Sequence, residues 1–242
     1  MYIFEKRRKL KSLKSKQNLT ISIMKNHFLF AVLLLLLLPV RRTDAQTFGV
    51  RGGMNFPSML FKDDEETYTD NNRLRPAFHM GGVIDYALGD AFSLEGDLLV
   101  SLKGLRTVVK DGDYKSSSWT NLYYINIPLL AKYSFDAGSV KLYGAAGPYF
   151  GMGITGKYRY KDEYDGESDS DTEKIEWGND PDNDNLKRFD AGLHLGAGII
   201  LGQIQAGLFY ELGLANISSD QSDGLRAKNR VFGVTAAYFF SK

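Results

Sequence analysis

Beyond Gln46, apolar residues recur at every second position through most of the chain. In "RFDAGLHLGAGIILGQIQAGLFYELGL", residues 188–214, Phe189, Ala191, Leu193, Leu195, Ala197, Ile199 and Leu201 alternate with Asp190, Gly192, His194, Gly196, Gly198 and Ile200. After Gly202 and Gln203 the pattern restarts, with Ile204, Ala206, Leu208, Tyr210, Leu212 and Leu214 set against Gln205, Gly207, Phe209, Glu211 and Gly213. A period of two predicts strands. A connection this short predicts an antiparallel hairpin, because parallel strands need a crossover of about a dozen residues or more. Each strand therefore has one apolar face and one face that is small, polar or charged. A soluble sheet would turn the apolar face to a core, whereas a membrane barrel turns it to lipid and points the polar face inward.

The same alternation predicts strands near residues 48–56, 77–88, 92–108, 122–135, 140–152, 189–201, 204–216 and 230–240, eight in all. The connections choose between the two environments. Long, polar "PSMLFKDDEETYTDNNRLRP" is followed by "GD", then by "KDGDYKSSSWT", "DAGS", a long acidic stretch, "GQ" and "SSDQSDGLRAK". Long and short alternate, so every long connection falls on one rim and every tight turn on the other. Outer-membrane barrels show that asymmetry, and an even strand count places both termini on the turn side. The predicted fold is an all-β, eight-stranded antiparallel up-and-down transmembrane β-barrel.

The faces sort accordingly. The outward set includes Phe48, Val50, Met80, Ile84, Leu94, Leu98, Val100, Ile125, Ile127, Leu129, Leu142, Phe232, Val234 and Ala236, none of them charged. Arg51, Asp85, Glu95, Asp97, Lys103, Lys132, Lys141, Asp190 and Glu211 fall on the other face. An eight-stranded barrel is just wide enough for side chains to fill, and buried charge is tolerated only when paired. The expectation is a plugged lumen in which Arg51, Lys103, Lys132 and Lys141 neutralise the five carboxylates. Tyr86, Phe92, Tyr133, Phe135, Tyr238 and Phe240 suit a turn-side aromatic girdle, and Phe56, Phe78, Tyr123 and Phe189 an upper one. Pro128 removes a ladder donor in mid-strand, which predicts a bulge or weakened pairing there.

The N-terminal region reads as an address. "FLFAVLLLLLLPV", residues 28–40, follows Lys25 and precedes the small-residue end "TDA". It is short of the roughly 20 residues a spanning helix needs. A secretory signal over residues 24–45 is expected, cleaved before Gln46, with 46–242 as the barrel domain. Residues 1–23, with "EKRRKLKSLKSK", form a basic extension, and Met24 is a candidate true start.

Composition adds exclusions. A net charge of +1 gives no reason to expect nucleic acid, and the absence of cysteine removes disulfides, thiolate-held metal and an acylated lipoprotein anchor. The 25 glycines fit small inward positions in a narrow barrel; those in "GAAGPYFGMG" precede no helix, as a phosphate cradle would require.

The segments "FGVRGGMNF", "YYINIPLLAKYSF", "KLYGAAGPYFGMG" and "GLHLGAGIIL" resemble the PorT-like outer-membrane β-barrel domain family, over nearly everything after Gln46. The resemblance implies a small barrel inserted by the barrel assembly machinery and surrounded by outer-membrane lipids. The family's namesake is associated with protein secretion, but no residue here carries that function over. The chain ends "YFFSK", so the terminal aromatic of outer-membrane strands is displaced to Phe240.

For catalysis, His79 and His194 point inward together with Ser93, Ser101, Asp85 and Asp190, but no nucleophile motif surrounds them. No catalytic, cofactor-binding or metal residue is assigned, and a non-enzymatic barrel is expected. Residues 157–187 hold the densest charge: from Lys161 to Asp184 there are eleven carboxylates against Lys161 and Lys174. Oxygen ligands in such numbers suit calcium, but the calcium-loop template lacks its glycine here. The expectation is a solvated, self-repelling, partly disordered loop. Trp119 and Trp177 lie in or beside the long loops, positioned for a partner or for the upper membrane interface. The function expected is structural or interactive, through the loops and toward an envelope or extracellular protein. A secretion accessory is one alternative; a soluble lipocalin-like carrier, with the faces reversed, is another.

Overall fold

The computed structural model describes residues 46–64, 72–73, 75–112, 114–165 and 167–240. The basic extension and the expected signal peptide lie outside the described residues. The strands are β1 (Gln46–Lys62), β2 (Asn72–Arg73), β3 (Ala77–Ala87), β4 (Phe92–Asp111), β5 (Tyr114–Ala137), β6 (Val140–Tyr164), β7 (Glu167–Lys174), β8 (Phe189–Leu201), β9 (Ile204–Gly213) and β10 (Arg226–Phe239).

Eight of them close a ring of antiparallel pairs. The order is β1, β3, β4, β5, β6, β8, β9 and β10, and β10 returns to β1 from Gly49↔Phe239 to Lys62↔Arg226. Closure abolishes sheet edges inside the ring. The two remaining strands stand outside it, β2 against β4 and β7 against β6. Each of the eight strands expected from the alternation coincides with one ring strand.

The faces fall as the alternation requires. Phe189, Leu193, Leu195, Ile199 and Leu201 of β8 are exposed, while Asp190, His194 and Ile200 between them are buried. Around the ring, Met80, Leu94, Leu98, Leu208 and Val234 are likewise exposed. Turn-side rings cluster, with Phe92 and Tyr133 centred 4.9 Å apart and Tyr238 and Phe240 6.0 Å apart. Phe56 stacks on Phe232 at the other end. A lipocalin-like carrier needs the apolar set inside, so that alternative is corrected: the apolar set is outside and the charged set inside.

One local expectation holds in part and another changes. Around Pro128 the register does not shift, but the ladder is interrupted: no pairs form to β6 at Leu129 and Leu130, nor to β4 at Ile127 and Pro128. The pairing is therefore weakened there without a bulge, and the register shift falls at Tyr123/Tyr124. The loops expected at 110–120 and over the first part of 157–187 are paired strand. β4 and β5 continue to Asp111↔Tyr114, and β6 and β7 to Tyr164↔Glu167. Those stretches alternate as strands do, but in Ser, Thr, Tyr, Lys and Asp, so hydropathy alone makes them resemble loop. The ladder hydrogen bonds and the cross-strand Lys115–Glu163 contact of 2.7 Å hold what composition would leave solvated.

Candidate functional site: a sealed lumen beneath a projecting sheet

From the turn end upward, the lumen begins as a pocket of about 250 Å³ lined by Thr47, Asp85, Ser93, Lys132, Gln205 and Phe239 among others. Above it lies the first charge cluster. Arg51 reaches Glu95 and Asp97, each at 2.8 Å. Lys132 bonds Asp85, Glu95 at 2.9 Å and Gln205 at 3.0 Å. These groups come from β1, β3, β4, β5 and β9, so the cluster ties strands across the bore.

A cavity of about 20 Å³ follows, lined by Arg51, His79, Asp97, His194, Phe209 and Glu211 among others. That is room for about one water molecule. His79 Nδ1 lies 2.8 Å from Asn55 Oδ1 and its Nε2 3.0 Å from Thr235 Oγ1. His194 stacks on Phe209 with centroids 5.1 Å apart.

The second cluster centres on Lys103. Its Nζ lies 3.2 Å from Asp190 and 3.0 Å from Glu211, and 4.2 Å from the centre of the Tyr149 ring. Asn126 donates to Glu211 at 2.7 Å and Asn229 to Asp190 at 3.0 Å. The lumen thus sets three cations, Arg51, Lys103 and Lys132, against Asp85, Glu95, Asp97, Asp190 and Glu211, and amide donors from Asn126, Gln205 and Asn229 offset the difference. Lys141, expected among these partners, is not: it stands at the turn-side rim, 3.7 Å from Asp136, and both side chains are well exposed. The short β5–β6 turn brings Asp136 opposite Lys141, and the lysine lines the mouth of the turn-side pocket without an ion pair to the inner carboxylates.

An apolar plug closes the loop end. Met59, Leu105, Leu122 and Tyr124 from the wall pack with Ile175, Trp177, Leu186, Ile217 and Ala227. Trp177 and Leu186 bridge to each other, and Leu186 to Ser218, so the β7–β8 connection folds down over the mouth. Trp177 meets Tyr124 edge-on at 5.7 Å. Gly153 permits this: a Cβ there would fall 2.5 Å from the Trp177 ring. Trp177 is therefore not a loop aromatic offered to a partner; it is 8% exposed.

The residues weighed for hydrolysis are dispersed. Ser101 accepts from Asn55, Ser93 lines the turn-side pocket, Asp85 bonds Lys132, and Asp190 accepts from Lys103, Tyr149 and Asn229. His194 Nδ1 faces Glu211 Oε1 at 3.3 Å, a pair from adjacent strands. No serine hydroxyl, imidazole and carboxylate form a chain among the described residues. Among these residues, no group of three or more His, Asp or Glu is arranged to hold a metal ion.

Above the plug, β4, β5, β6 and β7 project as a sheet whose two faces differ in charge. On the face continuous with the lumen, Tyr158, Tyr160 and Asp162 of β6 stand opposite Glu173, Asp171 and Asp169 of β7. The carboxylates around Tyr160, Asp169 first, raise its hydroxyl above the usual tyrosine range. On the face continuous with the barrel exterior, one register row reads Arg73, Arg106, Trp119, Arg159, Thr172 across β2, β4, β5, β6 and β7. Both arginines flanking Trp119 stack on it, Arg106 at 5.5 Å and Arg159 at 6.0 Å. Sequence reasoning missed this sheet. The available clue was Asp165-Gly166, a hairpin dipeptide between alternating residues, and Asp165 does adopt a positive φ of 48°.

Several solved structures of outer-membrane proteins are similar to this chain. Ail, the attachment invasion locus protein of Yersinia pestis, is 16% identical over 80% of this chain and 98% of its own, with a TM-score of 0.35. OprG from Pseudomonas aeruginosa is 13% identical over 82% and 97%, with a TM-score of 0.36. Neisserial surface protein A is 12% identical over 79% and 96%, with a TM-score of 0.35. No curated protein sequence matches at a significant level. The family model described as outer membrane protein beta-barrel domain matches residues 44–219. With a closed eight-strand ring, an uncharged apolar band around its exterior and that match over most of its length, the chain belongs to the outer membrane protein beta-barrel domain family.

Proposed function

We propose that this outer-membrane barrel is non-enzymatic and non-conducting, and that it acts through the sheet projecting from its loop end. The observation that carries this reading is the lumen, blocked in series by the Arg51–Asp97 cluster, the Lys103–Asp190 cluster and the Trp177 plug. A pore needs a continuous aqueous path, and the bore is occupied by two layers of paired charged side chains and one apolar plug. The orientation with the sheet outside the cell is supported by the start of β1 and the end of β10, which both lie on the turn side of the ring, the side that faces inward in outer-membrane barrels. A narrower reading, an accessory to protein secretion, has its support in the PorT-like resemblance of "YYINIPLLAKYSF" and "GLHLGAGIIL".

The test is planar-bilayer recording of the refolded protein, with heat-modified migration on a gel as the check of folding. A silent bilayer is expected. Large, stable open-channel steps would overturn the reading.

A further inference from the structure

The exterior of β5 changes character within a few residues. Going up the strand, outward Phe135, Tyr133, Leu129, Ile127, Ile125 and Tyr123 are followed by Asn121 and Trp119. Tyr133 to Tyr123 spans ten residues, about 33 Å of strand at 3.3 Å per residue. At a tilt of about 45° that covers about 23 Å of bilayer, close to the roughly 25 Å apolar band of such barrels. Tyr123 therefore marks the upper edge of the hydrocarbon. Trp119 stands about 9 Å higher by the same geometry, where the headgroup layer lies.

The outward face at that height is basic. Below the Trp119 row, Asn121, Lys157 and Lys174 form a row; above it, Ser117, Lys161 and Ser170 form another. Glu163 shares the face and is taken up by Lys115 and Lys161. Among the described residues, no carboxylate comes within ion-pair distance of Arg106 or Arg159. The Arg106 Nε is screened from solvent with no hydrogen-bond partner among them. Burial lowers the nearby Arg75 guanidinium from its ordinary value, Tyr123 opposes the shift and Arg106 adds to it, so like charges crowd here. The carboxylates of β7, meanwhile, are on the opposite face with Tyr158 and Tyr160. A hairpin that met only water would have no reason to sort its charges by face.

Resting on the reading of this sheet as the working surface, we propose that the outward row Arg106–Trp119–Arg159 binds the phosphate groups of an anionic glycolipid of the outer leaflet. Guanidinium forks match phosphate oxygens two by two, whereas an ammonium acts as a point charge. Trp119 sits between the two forks, fixing both by stacking and presenting its ring edge at the level where indoles favour membranes. Lys157 and Lys161, one row to either side, extend the positive field. The lipid's acyl chains would then lie along Tyr123, Ile125 and Ile154 below.

The test uses the full-length mature barrel in neutral detergent, titrated with a bisphosphorylated acyl diglucosamine and with its dephosphorylated counterpart. Binding is followed by native mass spectrometry, and folding by heat-modified migration. The phosphorylated lipid is expected to bind at least tenfold more tightly, and R106Q/R159Q to lose about 25-fold, about fivefold per cation at an anionic surface. K141Q, which removes one cation on the turn-side rim, is expected to bind as the parent does. Equal affinity for the two lipids, or an unchanged R106Q/R159Q, overturns the proposal. Such a result with a silent bilayer leaves the interaction reading standing, whereas channel activity would overturn that reading whatever the lipid does.

Discussion

Lys103 Nζ lies 3.2 Å from Asp190 Oδ2, and solvent reaches neither side chain. The pair joins β4 to β8 across the bore, and Glu211 of β9 completes it at 3.0 Å. Removing one partner of a buried ion pair leaves the other charge unpaired, which typically costs about 3–5 kcal/mol. Lys103→Met is expected to destabilise the barrel by that order in urea unfolding from lipid vesicles. Adding Asp190→Asn should recover part of the loss; two independent, additive penalties would mean that the contact carries no stability.

The plug offers a second expectation. Trp177 fills the mouth against Tyr124 and Gly153, and truncating a buried tryptophan costs about 3–5 kcal/mol. Trp177→Ala should open the β7–β8 connection to protease at the loop end while heat-modified migration persists. Gly153→Ala should do the same without altering the tryptophan, because the added Cβ displaces its ring. Protease resistance equal to the parent in both variants would show that the connection is held elsewhere.

On the exterior, Leu195 sits at the centre of β8 and is 53% exposed. Facing lipid at that depth, Leu195→Lys should cost about 2–4 kcal/mol. The same replacement at Lys157, already a cation above the apolar band, needs no change at all, so the contrast is drawn with Lys157→Leu, expected to be nearly neutral. Urea midpoints in vesicles measure both. A tolerated Leu195→Lys would mean that this face does not meet hydrocarbon.

Glu163 gives the pH dependence of the projecting sheet. Hydrogen bonds from Lys115 and then Lys161 lower its carboxyl from the ordinary 4.5 to about 2. A carboxylate with a depressed folded pKa contributes stability that is fully present above the unfolded value and fades as pH falls through the folded one. The β5–β6 projection should therefore keep this contact down to about pH 4.5 and lose it progressively toward pH 2. Carboxyl-resolved NMR of the protein in nanodiscs should find a titration midpoint below the ordinary glutamate range. An ordinary midpoint would show that the two lysines do not hold it.

How far the sequence reached depends on which physical term each residue's role rests on. Leu193, Leu195 and Ile199 were legible because burial preference and strand geometry share a period of two, and the tight turns at 138–139 and 202–203 fixed which strands were neighbours. Asp190, Lys103 and Glu211 were legible as inward, since a charge turned to lipid is costly. Their pairing was not, because Lys141 and Lys132 look alike along the chain and only the bore decides that Lys132 meets Glu95 while Lys141 stops at Asp136. The projecting sheet was illegible to hydropathy: Ser116, Ser118, Asp169 and Asp171 form strand because neighbours hydrogen-bond them, a contribution that no single stretch contains.

The sequence by itself determined the closed, alternating wall, because each strand's two faces have to meet different media and the spacing of turns leaves one order of pairing. The tertiary structure decided the rest. It set which charges neutralise one another, how residues 175–188 fold down to seal the mouth, and how Arg106, Trp119 and Arg159, far apart along the chain, come into one row. Those outcomes rest on distances across the barrel and between strands, and such distances exist only once the ring has closed.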